Sequence, residues 1–244
     1  MIDKYIVLLV VLAYVYCELP NYIKVCQSND VNLDSCIINS IEELRPKLKE
    51  GIEELNVPPI EPLLLDEIQM RSGPRTAKID ANITNLKVWG ASDFKILSLK
   101  PVLEKNKFMF KATIPSLYFE GDYDVDLNLL LLKFQGKGPI TGNLTDYTFD
   151  CVLRGKRITR NDKQYLEFKK MAIHVHIGAN SVLKMGNIFA GDPQIAKATN
   201  EVISENSDLF LEEIRPVLEN SLAVKFTNIA NQITKRFTYD ELFP

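Results

Sequence analysis

The chain has 244 residues, 46% hydrophobic and 25% charged, with 11 Gly and 12 Pro; this composition excludes disordered, collagen-like and coiled-coil classes and leaves room for one domain or two. Lys and Arg total 29 against 32 Asp and Glu, a net charge of −3, which offers no field for gathering a nucleic-acid backbone. Two His and four Cys leave little material for a zinc centre or imidazole-based catalysis, and no cofactor is expected.

Residues 1–17, MIDKYIVLLVVLAYVYC, set Lys4 before an uncharged apolar run from Ile6 to Tyr16. That run is well short of the ~20 residues a membrane-spanning helix needs, but it suits the apolar core of a signal peptide. Val15 and Cys17 are small enough for the −3 and −1 positions, so cleavage is expected after Cys17, with 18–244 a single secreted, extracellular domain. Cys26, Cys36 and Cys151 then face an oxidising compartment. A bridge between Cys26 and Cys36 would close a short loop and contribute roughly 2–3 kcal/mol in the chain-entropy model. Cys151, between Phe149 and Leu153 in an alternating pattern, reads as a buried thiol acting as a small hydrophobe. Asn82-Ile-Thr84 and Asn143-Leu-Thr145 are acceptor triplets for N-glycosylation. Asn82 is expected to face water. Asn143 shares strand parity with Tyr147 and Phe149, so a glycan there requires a register break near Gly142.

Residues 33–55 carry helical periodicity, with Cys36, Ser40 and Leu44 on one stripe, Ile37, Ile41 and Leu48 beside it, and Pro58-Pro59 beyond. From Leu63 to about Met185 the period becomes two. Tyr123, Val125, Leu127, Leu129 and Leu131 alternate with Asp122, Asp124, Asp126 and Asn128. Similar alternation runs through Phe108, Phe110, Ala112 and Ile114, through Tyr147, Phe149, Cys151 and Leu153, and through Met171, Ile173, Val175 and Ile177. Gly136-Lys-Gly138-Pro139 and Arg160-Asn-Asp-Lys163 are expected turns between strands of an antiparallel meander with one dry face. After Gly191-Asp192-Pro193 the helical period returns and lasts to about Phe237. Its apolar stripe is Ile195, Ala198, Val202, Leu209, Ile214, Leu218, Leu222, Phe226, Ile229 and Ile233, and Pro216 is expected to kink or break it near 212–215. The unmatched dry face of the sheet is best buried by wrapping around this helix. A short echo, Glu42-Glu-Leu-Arg-Pro-Lys-Leu48 against Glu212-Glu-Ile-Arg-Pro-Val-Leu218, reads as shared helix chemistry before duplication.

Several segments together carry a resemblance: Leu19-Pro20, Ile23-Lys-Val-Cys26, Cys36, Ser40-Ile-Glu42, Leu44-Arg-Pro46, Gly51-Ile52, Val57-Pro58, Glu61-Pro-Leu63, Gly191-Asp192 and the terminal Tyr239-Asp-Glu-Leu-Phe-Pro244. In these the mature chain resembles the takeout and juvenile hormone binding protein family of secreted insect proteins. It departs at Thr238, where the family usually has Pro, and at 202–207, which keeps little of the usual Asn-rich motif. The resemblance implies an α+β fold with a short N-terminal helix and a long C-terminal helix. A strongly curved antiparallel sheet would wrap that long helix as a super-roll enclosing a hydrophobic tunnel. It implies a Cys26–Cys36 disulfide. Hormone-binding members usually have a second bridge, for which Cys151 has no partner, so the chain looks more like the takeout branch. The function implied is a monomeric carrier of a small hydrophobic ligand, terpenoid, juvenile-hormone-like or long-chain lipid, without chemical conversion.

Candidate ligand-lining residues are Phe108, Phe110, Ile114, Phe119, Tyr123, Val125, Leu127, Leu129, Tyr147, Phe149, Ile173, Val175, Leu222 and Phe226, with Tyr123 and Tyr147 placed to orient an oxygen-bearing end. Asp122-Tyr-Asp-Val-Asp126 imitates a calcium loop but has Leu127 and Lys133 where Gly and Glu are needed, so it reads as a solvated strand face. His174 and His176 share a strand face and read as polar-side residues rather than metal ligands. Gly136-x-Gly138-x-x-x-Gly142 has the wrong spacing for a dinucleotide loop, and no nucleophile elbow, His-Glu-x-x-His or phosphate loop occurs. Arg154, Lys156, Arg157 and Arg160 read first as a solvated hairpin end, with docking to an anionic membrane or receptor as the alternative. The rival to the carrier is an extracellular interaction or signalling protein whose core is filled by its own side chains.

Overall fold

The computed structural model describes residues 19–72, 77–129, 132–187 and 193–244, and within these leaves aside the side chains of 72, 77–79, 127–129, 132–134, 193 and 195. The expected signal peptide, the Gly191-Asp192 pair and the side chains of Leu127 and Leu129 therefore lie outside the described residues.

Helix α1 (Leu33–Glu50) opens with Asp34 in its first turn and closes with Lys47 and Lys49 in its last, both favourable to the helix dipole. Helical periodicity was expected through residue 55. The α-helix instead ends at Gly51, whose φ of +89° strains any other residue, and only a 3-10 turn follows at Glu53–Leu55. A disulfide joins Cys26 to Cys36, and the Ser40 hydroxyl donates to Lys24 O at 2.7 Å, so the segment before α1 is tied down along it.

Among the described residues nine antiparallel strands form one open sheet: β1 (Leu63–Leu65), β2 (Ile68–Ser72), β3 (Ala77–Trp89), β4 (Lys95–Val102), β5 (Lys107–Leu129), β6 (Leu132–Arg160), β7 (Lys163–Phe168), β8 (Ala172–His176) and β9 (Val182–Met185). The spine is the β5–β6 pair, in register from Lys107↔Arg154 to Leu129↔Leu132. β5 carries β3 and β4 on its other side, β3 in turn carries β1 and β2, and β6 carries β7, β8 and β9.

Gly136–Pro139, expected as a turn, lies inside β6. The glycine serves close approach instead: a Cβ on Gly138 would stand 2.4 Å from Gly186 O. The Arg160–Lys163 turn forms as expected, with Asn161 and Asp162 both at positive φ, the geometry of a tight type I′ hairpin.

The inward face of the spine changes parity once. On β5 the buried positions run Ala112, Ile114, then Leu117, Phe119; on β6 they run Ile140, Leu144, then Tyr147, Cys151. Both strands step at the same place, Pro115 opposite Asp146, and Asp146 has a φ of 48°. Because each strand skips one residue, the register is preserved while the faces exchange. Asn143 consequently points outward, and the register break its glycosylation requires lies at Asp146 rather than near Gly142.

The C-terminal helical segment is two helices, α2 (Pro193–Glu205) and α3 (Ser207–Thr234), followed by the single turn α4 (Tyr239–Leu242). The break expected at 212–215 falls instead at Asn206, and Pro216 sits within α3. At the break, Val202 O accepts from both Asn206 Nδ2 at 2.7 Å and Asn206 N–H at 3.1 Å, and the Ser207 hydroxyl lies within reach of Ile203 O and Ser204 O, so side chains share the carbonyls at the junction with the backbone. Pro216 and Glu212, whose carbonyl loses its donor, are both exposed, where an unmade helix bond costs least. The expected stripe is also corrected. Val202 and Leu209 are 57% and 65% exposed, whereas Ile203, Ser207, Leu211, Leu222, Ala223, Thr227 and Thr234 face inward. Thr238, the departure from the family pattern, N-caps α4 in a capping box with Glu241. The terminal segment is anchored: Tyr239 is buried, Phe243 stacks on Phe108, and Pro244 O accepts from Ser28 N–H at 2.8 Å.

Candidate functional site

Between α3 and the inner face of the sheet lies an apolar interior. Ile114, Phe119, Tyr123, Val125, Tyr147, Val175 and Leu222 are buried in its main cluster. Phe149, Ile173 and Phe226 are half-buried and bridge to a second cluster under β6 and β7, built on Cys151, Leu153, Leu166, Phe168, Met171, Ala223 and Tyr239, against which Phe108 and Phe110 pack. Phe110 meets Phe149 edge-on at 6.5 Å, and Tyr147 lies 6.1 Å from Phe149. The described members of the candidate set thus share one continuous region.

Two phenols enter this region with different fates. Tyr123 donates its hydroxyl to Gly186 O at 2.7 Å and so fixes the end of β9. Tyr147 is 5% exposed, and its hydroxyl has no hydrogen-bond partner among the described residues. Burial raises the Tyr147 phenol well above the ordinary tyrosine range, and the Glu219 carboxylate adds to the effect. Burial, and then Asp150, pushes the Cys151 thiol up to about 12, which keeps it protonated and unreactive.

The way α2 and α3 hold the sheet escaped the sequence reading. Polar side chains on the inward line of these helices bind the backbone of β7, β8, β9 and the residues beside them. Asn200 accepts from Met185 N–H at 3.1 Å, Ser207 from Leu183 N–H at 3.0 Å, Glu219 from Val175 N–H at 2.8 Å and Thr227 from Met171 N–H at 2.8 Å. Asn231 takes both groups of Phe168, accepting its N–H at 2.7 Å and donating to its carbonyl at 2.9 Å, as a neighbouring strand would. Ser204 donates to Leu183 O at 3.2 Å. The helices therefore stand in for a missing strand along an edge whose N–H groups would otherwise be orphaned. The readable signal was a set of short polar residues, Ser204 and Ser207 or Thr227 and Asn231, at helical spacing within an apolar segment.

A cavity of about 1230 Å³ opens on the other flank of α3, between Val217, Ser221, Val224, Lys225 and Asn228 of the helix and residues 50–59 and 66–69. None of the candidate lining residues borders it. A smaller one of about 580 Å³ lies between β9 and α2. On the outer sheet face, Asp124 pairs with Lys137 at 2.7 Å and Asp122 accepts from Asn85 Nδ2 at 2.8 Å. His174 and His176 stand 4.6 Å apart, His174 beside Glu219 and His176 beside Asp150. Among the described residues no group of three His, Cys, Asp or Glu is placed to hold a metal.

The comparisons agree with this architecture. The family profile described as haemolymph juvenile hormone binding protein matches residues 5–244. The circadian clock-controlled protein daywake of Drosophila melanogaster is 25% identical over 236 residues, covering 92% of this chain and 88% of that protein, and its Drosophila yakuba counterpart is 22% identical over the same shares. The crystal structure of Epiphyas postvittana Takeout 1 superposes with a TM-score of 0.75 at 18% identity, over 89% of this chain and 98% of that one, and shows the same fold. With the match running through the strands, both long helices and the terminal turn, the chain belongs to the haemolymph juvenile hormone binding protein family.

Proposed function

We propose that the protein is a secreted, extracellular, monomeric carrier that holds one small hydrophobic ligand, a terpenoid or long-chain lipid, between α3 and the sheet and leaves it chemically unchanged. Membership of a family of binding proteins supports ligand binding. The observation that carries the reading is the apolar interior between α3 and the sheet, into which Tyr147 brings a phenol that has no hydrogen-bond partner among the described residues and is open to one from a ligand oxygen. An ester, epoxide or carboxyl end of a ligand is such a partner. The proposed lining is the candidate set above, Leu127 and Leu129 included. Burying ~400 Å² of terpenoid surface at ~25 cal/mol/Å² gives roughly 10 kcal/mol before association costs, enough for affinities from micromolar to tens of nanomolar.

The test is extraction of protein secreted from a eukaryotic host, followed by mass spectrometry, with displacement of a fluorescent fatty acid as a second measurement. A stoichiometric, chemically intact lipid is expected. Protein that yields no lipid and binds no probe has a core filled by its own side chains, and the carrier reading falls. Turnover of lipid esters would replace it with an esterase.

A further inference from the structure

The row of residues that crosses the outer face of the sheet at Asn143 departs from the pattern around it. Trp89 on β3 stands opposite Tyr118 on β5, Tyr118 opposite Asn143 on β6, and Asn143 opposite Val182 on β9. The chain neighbours Val88, Leu117, Phe119, Leu144 and Leu183 are all buried, so by alternation the row faces outward. Two residues along, the next row on this face is Lys87, Glu120, Thr141 and Lys184, with Lys87 and Glu120 paired at 3.8 Å. Farther out, Lys111 meets Asp150 at 3.7 Å and Lys137 meets Asp124 at 2.7 Å. Against this charged face the row at Asn143 is aromatic on one side of the asparagine and aliphatic on the other.

Tyr118 is 40% exposed, and its ring stands 5.5 Å from that of Trp89, tilted by 37°, which makes one aromatic surface across two strands. On a charged face such a pair is apolar area left open to water. Beside it, Asn143 opens the acceptor triplet Asn143-Leu-Thr145, is exposed, and has no side-chain hydrogen-bond partner among the described residues. The other acceptor differs: Asn82 has its Nδ2 committed to Glu67 and its Oδ1 buried. The Thr145 hydroxyl is covered only once the strands have paired, after an oligosaccharide is transferred to the extending chain.

We propose that Asn143 carries an N-linked glycan whose first N-acetylglucosamine lies on the Tyr118 ring, with Trp89 extending the surface beneath the sugars that follow. Directly opposed side chains are about 5 Å apart at Cβ and the next strand lies about 4.8 Å farther, so a sugar on Asn143 Nδ2 is level with Tyr118 and its successor reaches toward Trp89. One face of a pyranose presents only C–H groups, which carry partial positive charge, and the face of an aromatic ring is negative. The hydroxyl and N-acetyl groups stay at the rim, in water. Val182, on the other side of Asn143, is too small to offer a face of that kind. A protein partner on the same two rings would need Asn143 bare. The proposal rests on the secreted reading, because the secretory route supplies the glycan, and on nothing about what occupies the interior.

The full chain expressed in insect cells tests it: protein in the medium should carry a glycan on Asn143 by glycopeptide mapping. With that glycan trimmed to its first N-acetylglucosamine, the unfolding temperature should lie about 2–4 °C above that of Asn143→Gln. The same comparison in a Tyr118→Ser background should give less than about 1 °C, whereas Tyr118→Phe, which keeps the ring, should retain the difference; each comparison stays within one background, so the cost of the Tyr118 substitution itself cancels. In the parent protein the ring protons of the sugar should also move upfield in NMR spectra relative to the isolated glycopeptide. Exported protein with Asn143 bare, a glycan increment that survives Tyr118→Ser, or unshifted sugar protons would each overturn the proposal. Protein retained in the cells would overturn the secreted reading along with it.

Discussion

Tyr123 and Tyr147 look alike in the sequence and differ by one hydrogen bond, so removing each hydroxyl gives opposite readouts. Tyr123→Phe loses the bond to Gly186 O and should cost about 1 kcal/mol in chemical denaturation with little change in ligand affinity. Tyr147→Phe loses no bond within the described protein; stability should change by less than about 0.5 kcal/mol, while affinity for an oxygen-bearing ligand drops roughly fivefold. Cys151 provides a pH test. The unfolded thiol ionises near 9 and the folded one at about 12, so between these values the unfolded chain holds fewer protons and stability falls as pH rises. Denaturant midpoints measured from pH 8 to 11 should decline more steeply for the parent than for Cys151→Ala. The two acceptor asparagines also separate. Asn143 is exposed, whereas Asn82 is half-buried with its Nδ2 donating to Glu67, so peptide mapping of protein from a secretory host should find Asn143 the more fully glycosylated.

Strand faces were legible because burial imposes a period of two that survives almost any side-chain choice, and Tyr123, Val125, Tyr147 and Cys151 fell inward as read. The parity step at Pro115 and Asp146 was not, since it depends on two strands kinking together. The helices misled for a different reason. An apolar stripe was sought, but their inward line is partly polar because it serves the sheet edge, so Val202 and Leu209 were placed on the wrong side. Pro216 drew the break toward itself, although the side-chain competition around Asn206 and Ser207 decides it. Substitutions sort accordingly: Asn231→Leu, which strands both backbone groups of Phe168, should cost about 2–4 kcal/mol by urea denaturation, and Leu209→Ala less than about 0.5.

At the scale of the molecule, the wrapping of helix by sheet followed from one unmatched dry face and one long helical segment, and the α+β class with its short N-terminal helix from the family resemblance. The tie between them did not: bonds such as Phe168 to Asn231 join residues 63 apart through a polar atom, and hydropathy carries no trace of them. Which hydroxyl would lack a partner among the described residues was hidden for the same reason. A ligand that binds only the folded state should raise the unfolding temperature; at a hundredfold excess over its dissociation constant the gain is about 2.7 kcal/mol, or roughly 5–10 °C for a domain of this size. A thermal scan in which apolar ligands give no shift at any concentration would count against the interior as their site.

The bonds from α2 and α3 to the strand edge also restrict how this chain can change length. A helix turns by about 100° per residue, so deleting one residue between Glu219 and Thr227 would swing Thr227 and Asn231 away from Met171 and Phe168 together, while Asn200 and Ser207 kept their partners. Single substitutions remove one bond; a one-residue indel removes several at once. Across homologues, the spacing from Ser207 to Asn231 should therefore be nearly invariant in length even where its residues have diverged, and the hairpin turn at Asn161-Asp162, which answers to no such phase, should absorb insertions freely.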